Sequence, residues 1–123
     1  MANVLVVDDS NTMRELVSSF LRNNGFDVVT ASDGRDGLQQ LRNDPAIKLV
    51  VSDVNMPVMD GLAMAEKIRT ELDNAAVRII MLTTEDNPHI RERGKAVGVN
   101  GWIVKPFKGE AVLGPFKKFC GLT

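Results

Sequence analysis

The feature that most constrains the fold is a repeated alternation of short apolar runs with longer segments of helical periodicity. The apolar runs cover residues 3–7, 27–31, 49–52, 77–82 and 102–104. Segments with apolar residues at three- and four-residue spacing follow them, over 10–25, 34–43, 62–72, 88–97 and 107–120. Nearly continuous apolar strands that alternate with helices are typical of a parallel sheet covered on both faces. The sequence therefore predicts an α/β fold with five strands and five helices.

The order of the strands follows from the rules of chain connection. Because a strand–helix–strand crossover is right-handed in nearly all proteins, few arrangements of five parallel strands are possible. The doubly wound, flavodoxin-like arrangement has the order 2-1-3-4-5. Ligands of such sheets bind beyond the carboxyl ends of the strands, where the strand order reverses. We therefore expect a functional site next to the ends of strands 1 and 3.

Length and composition exclude several classes of protein. The chain has 123 residues, which is about one domain, and we interpret 1–123 as a single unit. A net charge of −1, one Cys and one His exclude a polycation that coats nucleic acid, a disulfide framework and a Cys/His metal cluster. Because the chain contains no apolar stretch of about 20 residues and no leader of signal-peptide type, we expect a cytoplasmic protein that binds no membrane.

Reactive side chains stand at the ends of four of the five predicted strands. Asp8 and Asp9 follow strand 1, and Asp53 follows strand 3. Thr83 follows strand 4, and Lys105 follows strand 5. A single aspartate at such a place is often a helix N-cap, and a single Lys-Pro is often a surface turn. Because the carboxyl ends of parallel strands share one edge of the sheet, the coincidence favours one functional site.

Three carboxylates at one edge predict a divalent cation. Two like charges about 4 Å apart repel by roughly 4 kcal/mol at an effective dielectric constant near 20. Oxygen ligands from few protein groups suit Mg²⁺, and Mn²⁺ can substitute for it. A lysine and a hydroxyl beside such a site are groups that bind a phosphoryl group. The residues therefore indicate Mg²⁺-dependent phosphoryl chemistry.

Five motifs extend this pattern over nearly the whole chain. They are Val7-Asp8-Asp9-Ser10 with Met13-Arg14, Asp53 with Met56-Pro57, Met59-Asp60-Gly61, Thr83-Thr84-Glu85, and Gly101-Trp102-Ile103-Val104-Lys105-Pro106-Phe107. In this order and spacing they resemble the receiver domains of the response regulators of two-component systems. Within that family the chain is similar to the single-domain regulators of chemotaxis.

The resemblance implies a role for the residues that would contact the phosphoryl group. Asp53 would be the nucleophile, taking the group from a phosphohistidine on a sensor kinase. Lys105 would pair with the phosphoryl group, and Thr83 would donate a hydrogen bond to it. Trp102 stands where the family usually has Tyr or Phe, so Thr83 and Trp102 would form the conformational switch.

The resemblance also implies a metal site and two residues that tune hydrolysis. Asp9, Asp53 and the backbone carbonyl of Asn55 would hold Mg²⁺, and Asp8 would act directly or through water. Asn55 and Glu85 flank the site and would set the rate at which the acyl phosphate is hydrolysed.

The function implied is that of a phosphorylation-switched signalling protein rather than an enzyme. It would catalyse only its own phosphorylation and slow dephosphorylation, and it would pass the signal on by protein–protein contact. The partners implied are a sensor histidine kinase of the chemotaxis type and a downstream protein, such as the flagellar motor switch or a phosphatase. A stand-alone receiver in a non-chemotactic phosphorelay, or one that serves as a phosphate sink, is the alternative.

Two other classes fit the fold less well. A Mg²⁺-dependent phosphohydrolase would need a catalytic acid, and none is evident beyond Glu85. A flavodoxin-type cofactor binder would need a phosphate-binding Gly/Ser/Thr loop where the chain has Asp8, Asp9 and Ser10. No Walker A or GxGxxG pattern occurs, so nucleotide binding has no support.

The last predicted helix contains residues that disfavour a continuous helix. Gly109, Gly114 and Pro115 lie within 107–120. Proline in a helix interior removes a hydrogen bond and costs about 3 kcal/mol. We therefore predict a kink or break near residue 114.

Overall fold

The strands form one parallel sheet in the order β2-β1-β3-β4-β5. A computed structural model of the chain describes residues 4–109, 113–114 and 116–117. Its elements are β1 (Val4–Val7), α1 (Asn11–Asn23), β2 (Val28–Ala31), α2 (Gly34–Asn43), β3 (Leu49–Ser52), α3 (Gly61–Thr70), β4 (Arg78–Thr83), α4 (Pro88–Ala96) and β5 (Gly101–Val104). The predicted α/β class and strand order are confirmed. The fifth predicted helix, over 107–120, and its predicted break near residue 114 lie largely outside the described residues.

The register of the sheet brings the strand ends to the same level. At the end of β1, Val7 pairs with Ala31 of β2 and with Ser52 of β3. The ladder continues one residue further, because the N–H of Asp53 donates to the carbonyl of Val7 at 3.1 Å. Between β4 and β5, at the same edge, the N–H of Lys105 donates to the carbonyl of Thr83 at 2.8 Å. Backbone hydrogen bonds therefore hold the residues that follow the strands.

Both faces of the sheet are buried. Side chains of a strand alternate between the two faces, and in β1 the side chains of Leu5 and Val7 join one core cluster while those of Val4 and Val6 join the other. The first cluster lies under α2 and α3, and the second lies under α1 and contains Phe116. All four β1 side chains are at most 2% exposed. This burial explains why β1 reads as a continuous apolar run rather than as an alternating one.

The helices begin at the edge of the sheet where the site lies. Each of the four described helices has an N-cap side chain that accepts a backbone N–H from the first turn, which stabilises its start; these caps are Ser10, Asp33, Asp60 and Asn87. Because Ser10 is the N-cap of α1, neither Asp8 nor Asp9 is needed for that role. None of the helices in the described part of the chain is long and apolar enough to cross a membrane.

Candidate functional site

Three carboxyl groups meet where the strand order reverses. Asp8, Asp9 and Asp53 each offer one oxygen, and these oxygens lie within 4.8 Å of one another. Asp8 is 5% exposed, Asp53 is partly buried and Asp9 is exposed. The structure thus brings together the three acidic residues that the sequence placed at the ends of β1 and β3. Their arrangement runs from the interior to the solvent, so the cluster is open to a ligand from outside.

Lys105 lies between two of these carboxylates. Its Nζ is 3.0 Å from Oδ2 of Asp53 and 3.3 Å from Oδ2 of Asp8. Burial of the ammonium opposes its charged form, but the hydrogen bond and the charge of Asp53, together with Asp8, outweigh that effect and raise the pKa of Lys105. The lysine is therefore a fixed positive charge at the centre of the cluster.

The negative charge of Asp8 lies in a buried environment, which is unfavourable for an ionised carboxylate. Its Oδ1 accepts the backbone N–H of Ser10 at 2.9 Å, and its Oδ2 faces Lys105. Burial raises the pKa of the Asp8 carboxyl, and this effect outweighs the hydrogen bond from Ser10 and the charge of Lys105, which lower it. One lysine therefore does not compensate the cluster, and a further cation would stabilise the ionised form.

The donor set fits a magnesium ion. The clustered groups are all carboxylates, and hard divalent cations prefer oxygen ligands. Few protein ligands and an exposed member, Asp9, suit an ion that keeps several of its waters. Asn55, the fourth predicted ligand, lies next to the cluster, since its backbone N–H donates to Oδ1 of Asp53 at 3.3 Å.

Arg14 supports the loop that carries the first two aspartates. Its Nη1 donates to the backbone carbonyl of Asp8 at 2.6 Å, and its Nη2 donates to the side chain of Asn11. Sequence reasoning quoted Arg14 within a motif but assigned it no role. Its spacing of six residues from Asp8, one turn into α1, is the signal that could have found it.

Gly61 allows the chain to pass close behind Asp53. A Cβ at this position would lie 2.1 Å from the carbonyl oxygen of Asp53, a distance no side chain can adopt. The N–H of Gly61 donates to the carbonyl of Val54 at 2.8 Å, and the hydroxyl of Ser52 donates to the carbonyl of Asp53 at 2.8 Å. The sequence analysis named this glycine only within a motif, whereas the structure shows that a side chain here would collide with the backbone of Asp53.

The loop between β3 and α3 contains a strained turn. Val58 has a φ of 69°, and the N–H of Met59 donates to the carbonyl of Pro57 at 2.7 Å, which closes a γ-turn around Val58. A β-branched residue at positive φ is a genuine outlier. Its side chain is 74% exposed, so the strain lies on the surface, five residues after Asp53.

Thr83 and Trp102 meet at the main chain of Glu85. Thr83 is fully buried, and its Oγ1 accepts the backbone N–H of Glu85 at 3.2 Å. The indole Nε1–H of Trp102 donates to the backbone carbonyl of Glu85 at 2.8 Å. The predicted pair Thr83 and Trp102 is therefore connected through the backbone of one residue, Glu85, a connection that the sequence did not reveal.

Comparisons with known proteins agree with this architecture. The sequence matches the profile of the response regulator receiver domain over residues 4–114. It is 38% identical to chemotaxis protein CheY1 of Helicobacter pylori over 119 residues, which cover 90% of this chain and 96% of that protein. The structure of chemotaxis protein CheY4 of Vibrio cholerae matches with a TM-score of 0.90 and 42% identity, covering 97% of this chain and 98% of that one.

A further solved structure bears on the ligands of the site. It is a CheX–CheY–BeF3–Mg²⁺ complex from Borrelia burgdorferi, which matches with a TM-score of 0.87 and 29% identity. The match covers 95% of this chain and 87% of that one.

Proposed function

Because the chain belongs to the response regulator receiver domain family, we propose that Asp53 accepts a phosphoryl group from a phosphohistidine of a sensor histidine kinase. The observation that carries the proposal is the position of Lys105, whose Nζ is 3.0 Å from Oδ2 of Asp53 beside three clustered carboxylates. A phosphoryl group brings negative charge, which a cluster of acids tolerates only if cations are fixed beside it. Lys105 is such a cation.

Asp53 is the acid best placed to act as the nucleophile. Asp8 is only 5% exposed, and burial raises the pKa of its carboxyl, which disfavours the ionised form that a nucleophile needs. Asp53 follows β3, the central strand of the sheet, and is partly open to solvent. The N–H of Asn55 holds one of its oxygens, and Lys105 holds the other. The carboxylate is thus oriented before a donor arrives, which is most of what phosphoryl transfer needs from a protein.

The transfer step exchanges one bond to phosphorus for another. A carboxylate oxygen of Asp53 forms a bond to phosphorus, and the bond between phosphorus and the imidazole nitrogen of the donor breaks with its electron pair remaining on the imidazole. Lys105 then balances negative charge on the phosphoryl oxygens, and the hydroxyl of Thr83 donates to one of them. Asp8, Asp9 and Asp53, together with the carbonyl of Asn55, would hold Mg²⁺, and Mn²⁺ could take its place. When bound, the ion neutralises charge on the carboxylates and on the group being transferred.

The output of the protein is contact with other proteins. Its similarity to chemotaxis proteins over nearly its whole length supports a role in chemotaxis, with a histidine kinase upstream and the flagellar motor switch or a phosphatase downstream. Asn55 and Glu85 flank the site and tune the lifetime of the acyl phosphate. We infer a switch rather than an enzyme, so turnover of the acyl phosphate is slow, on the scale of minutes.

Intact mass spectrometry tests the proposal. The protein is incubated with Mg²⁺ and acetyl phosphate, and it should gain the mass of one phosphoryl group. The variant Asp53→Asn should gain none, and chelation of Mg²⁺ should prevent the gain in the wild-type protein. Asp44→Asn, which changes an exposed carboxylate outside the site, serves as the matched control and should be phosphorylated normally. An unmodified wild-type protein, or an equal gain in Asp53→Asn, contradicts the proposal.

A further inference from the structure

The first residue of α2, Gly34, contacts the loop between β3 and α3. Its backbone N–H donates to the carbonyl of Met59 at 3.3 Å. The first N–H groups of a helix have no acceptor within the helix, and the side chain of the N-cap, Asp33, accepts the N–H of Asp36 at 2.8 Å. The loop between β3 and α3 therefore supplies the acceptor for the N–H of Gly34.

A glycine is required at the start of α2 because the loop lies so close. A Cβ at position 34 would lie 2.7 Å from the carbonyl oxygen of Met59 and 3.0 Å from its Cγ. The end of a flexible side chain could move out of such a contact, but a backbone oxygen can move only if the loop moves with it. Gly34 is not among the glycines with positive φ. The close contact, and not the backbone conformation, is therefore the reason for a glycine here.

Met59 is bonded on both sides of its backbone. Its N–H donates to the carbonyl of Pro57 at 2.7 Å, which closes the turn around Val58, and its carbonyl accepts from Gly34. Val58 has a φ of 69°, and a strained conformation persists only where the surrounding structure holds it. The bond from Gly34 comes from outside the loop, so it is a contact of the kind that such a turn needs.

The other end of the same loop carries the residue next to the cluster of carboxylates. The N–H of Asn55 donates to Oδ1 of Asp53 at 3.3 Å. The N–H of Gly61 donates to the carbonyl of Val54 at 2.8 Å and closes the loop at its base. Because the loop is closed in this way, a displacement at Met59 is expected to move the backbone of Asn55 as well.

We propose that Gly34 is a positioning residue for the metal site: it lets α2 hold the Met59 carbonyl, which fixes the loop and with it the backbone of Asn55 beside Asp53. The inference rests on the proposed function, because that function places Mg²⁺ on the carboxylates and on the carbonyl of Asn55. Gly34 does not contact the ion and acts through Met59. The helix α2 thus gains a role at the site, although none of its side chains belongs to the cluster of carboxylates.

A comparison of two glycines on the same face of α2 tests the proposal. Gly34→Ala should weaken Mg²⁺ binding about fivefold in titration calorimetry, the effect of one hydrogen bond. Gly37→Ala is the matched control, because a Cβ there would lie 2.8 Å from Sδ of Met64 and 3.2 Å from Cγ2 of Val7, which are core side chains and not loop atoms. It should leave the Mg²⁺ affinity unchanged. An unchanged affinity in Gly34→Ala, or an equal loss in both variants, overturns the inference.

Hydrogen exchange without any metal tests the position of the loop directly. In Gly34→Ala the amides of residues 54–60 should exchange about fivefold faster than in the wild-type protein, and those of β4 should be unchanged. Met59→Ala keeps the backbone carbonyl and removes the side chain, so its loop exchange and Mg²⁺ affinity should remain close to those of the wild-type protein. If Met59→Ala reproduces the effects of Gly34→Ala, side-chain packing holds the loop and the inference is wrong.

The outcomes separate this inference from the function on which it rests. A wild-type protein that binds Mg²⁺ but takes up no phosphoryl group from acetyl phosphate shows that the proposed function is wrong, whereas the role of Gly34 is still decided by the Mg²⁺ affinities. A wild-type protein that is phosphorylated, combined with an unchanged affinity in Gly34→Ala, overturns only the role of Gly34. A wild-type protein that binds no Mg²⁺ overturns both. Circular dichroism of each variant confirms that it is folded.

Discussion

Replacement of Val58 should stabilise the protein, although almost any other valine replacement would destabilise it. The residue has a φ of 69°, and a non-glycine residue held in the left-handed region costs about 1–3 kcal/mol. The cost for valine is at the upper end of that range, because its branched Cβ crowds the backbone. Its side chain is 74% exposed, so its removal forfeits little buried apolar surface.

The expected gain in stability depends on which residue replaces Val58. Asparagine tolerates positive φ and should gain about 1–2 kcal/mol. Glycine removes the strain completely, but the unfolded chain gains conformational entropy worth about 0.5–1 kcal/mol, so the net gain in stability should be about 2 kcal/mol. Alanine keeps a Cβ and should lie between valine and glycine. For a domain of this length, 1 kcal/mol raises Tm by about 4 °C.

Urea unfolding of Val58→Asn, Val58→Gly and Val58→Ala, with the m-value monitored, gives the comparison. The matched control is Val104→Asn, a change of the same kind at a valine in β5 that is 39% exposed, which should be neutral or destabilising because valine is favoured in strands. If Val58→Asn is no more stable than the wild-type protein, the strain argument is wrong. A gain that also occurs in Val104→Asn shows that the effect is a general one of replacing exposed valines.

Three further predictions concern charge. Asp53 and Asp8 raise the pKa of Lys105 against the effect of burial, so Lys105→Met should lower the free energy of unfolding at pH 7 by about 2 kcal/mol. Urea unfolding should show the full difference between the two proteins below about pH 10.5. The difference should disappear as the pH rises through the higher pKa that Lys105 has in the folded state. Arg14→Ala removes the bond to the Asp8 carbonyl and should weaken Mg²⁺ binding about fivefold by calorimetry, whereas Arg22→Ala, on the same helix, should not. Arg69 donates to three backbone carbonyls and one amide oxygen at the other end of the sheet, so Arg69→Met should lower the stability by about 3 kcal/mol in urea unfolding without affecting Mg²⁺ binding.

The sequence predicted the elements well wherever local patterns determine them. The bounds 34–43 for α2 and 49–52 for β3 agree with the structure, because periodicity and burial on both faces are visible along the chain. The end of α3 was less well predicted: Leu72 keeps the apolar spacing, although the helix ends at Thr70. Apolar spacing can continue past the last helical hydrogen bond, so it does not mark a helix end.

The convergence of the site was predictable from topology, but its connections were not. Parallel strands bring their ends together, so Asp8, Asp53 and Lys105 could be placed at one edge before the structure was known. The bond from Trp102 to the Glu85 carbonyl joins residues 17 positions apart and depends on the packing of β5 against α4. The glycine at position 94 of α4 has no local signal either. A Cβ there would lie 2.9 Å from Cζ3 of Trp102, which belongs to another element. Contacts of this kind arise from tertiary packing and leave no periodic pattern in the sequence.

The charges of the site indicate which group the proposed phosphorylation of Asp53 should move. Three carboxylates and Lys105 leave a formal charge of −2, which one divalent cation balances. An aspartyl phosphate carries about one more negative charge than the carboxylate of Asp53. Among the described residues of the cluster, no further cation offsets this added negative charge. The remaining source of stabilisation is hydrogen bonding, and the buried hydroxyl of Thr83 is the neutral donor at the adjacent strand end. Any movement of Thr83 toward the new charge alters its bond from Glu85, and through Glu85 it reaches Trp102. If Asp53 is phosphorylated as proposed, this excess of one charge should therefore alter the contact between Glu85 and Trp102 of β5.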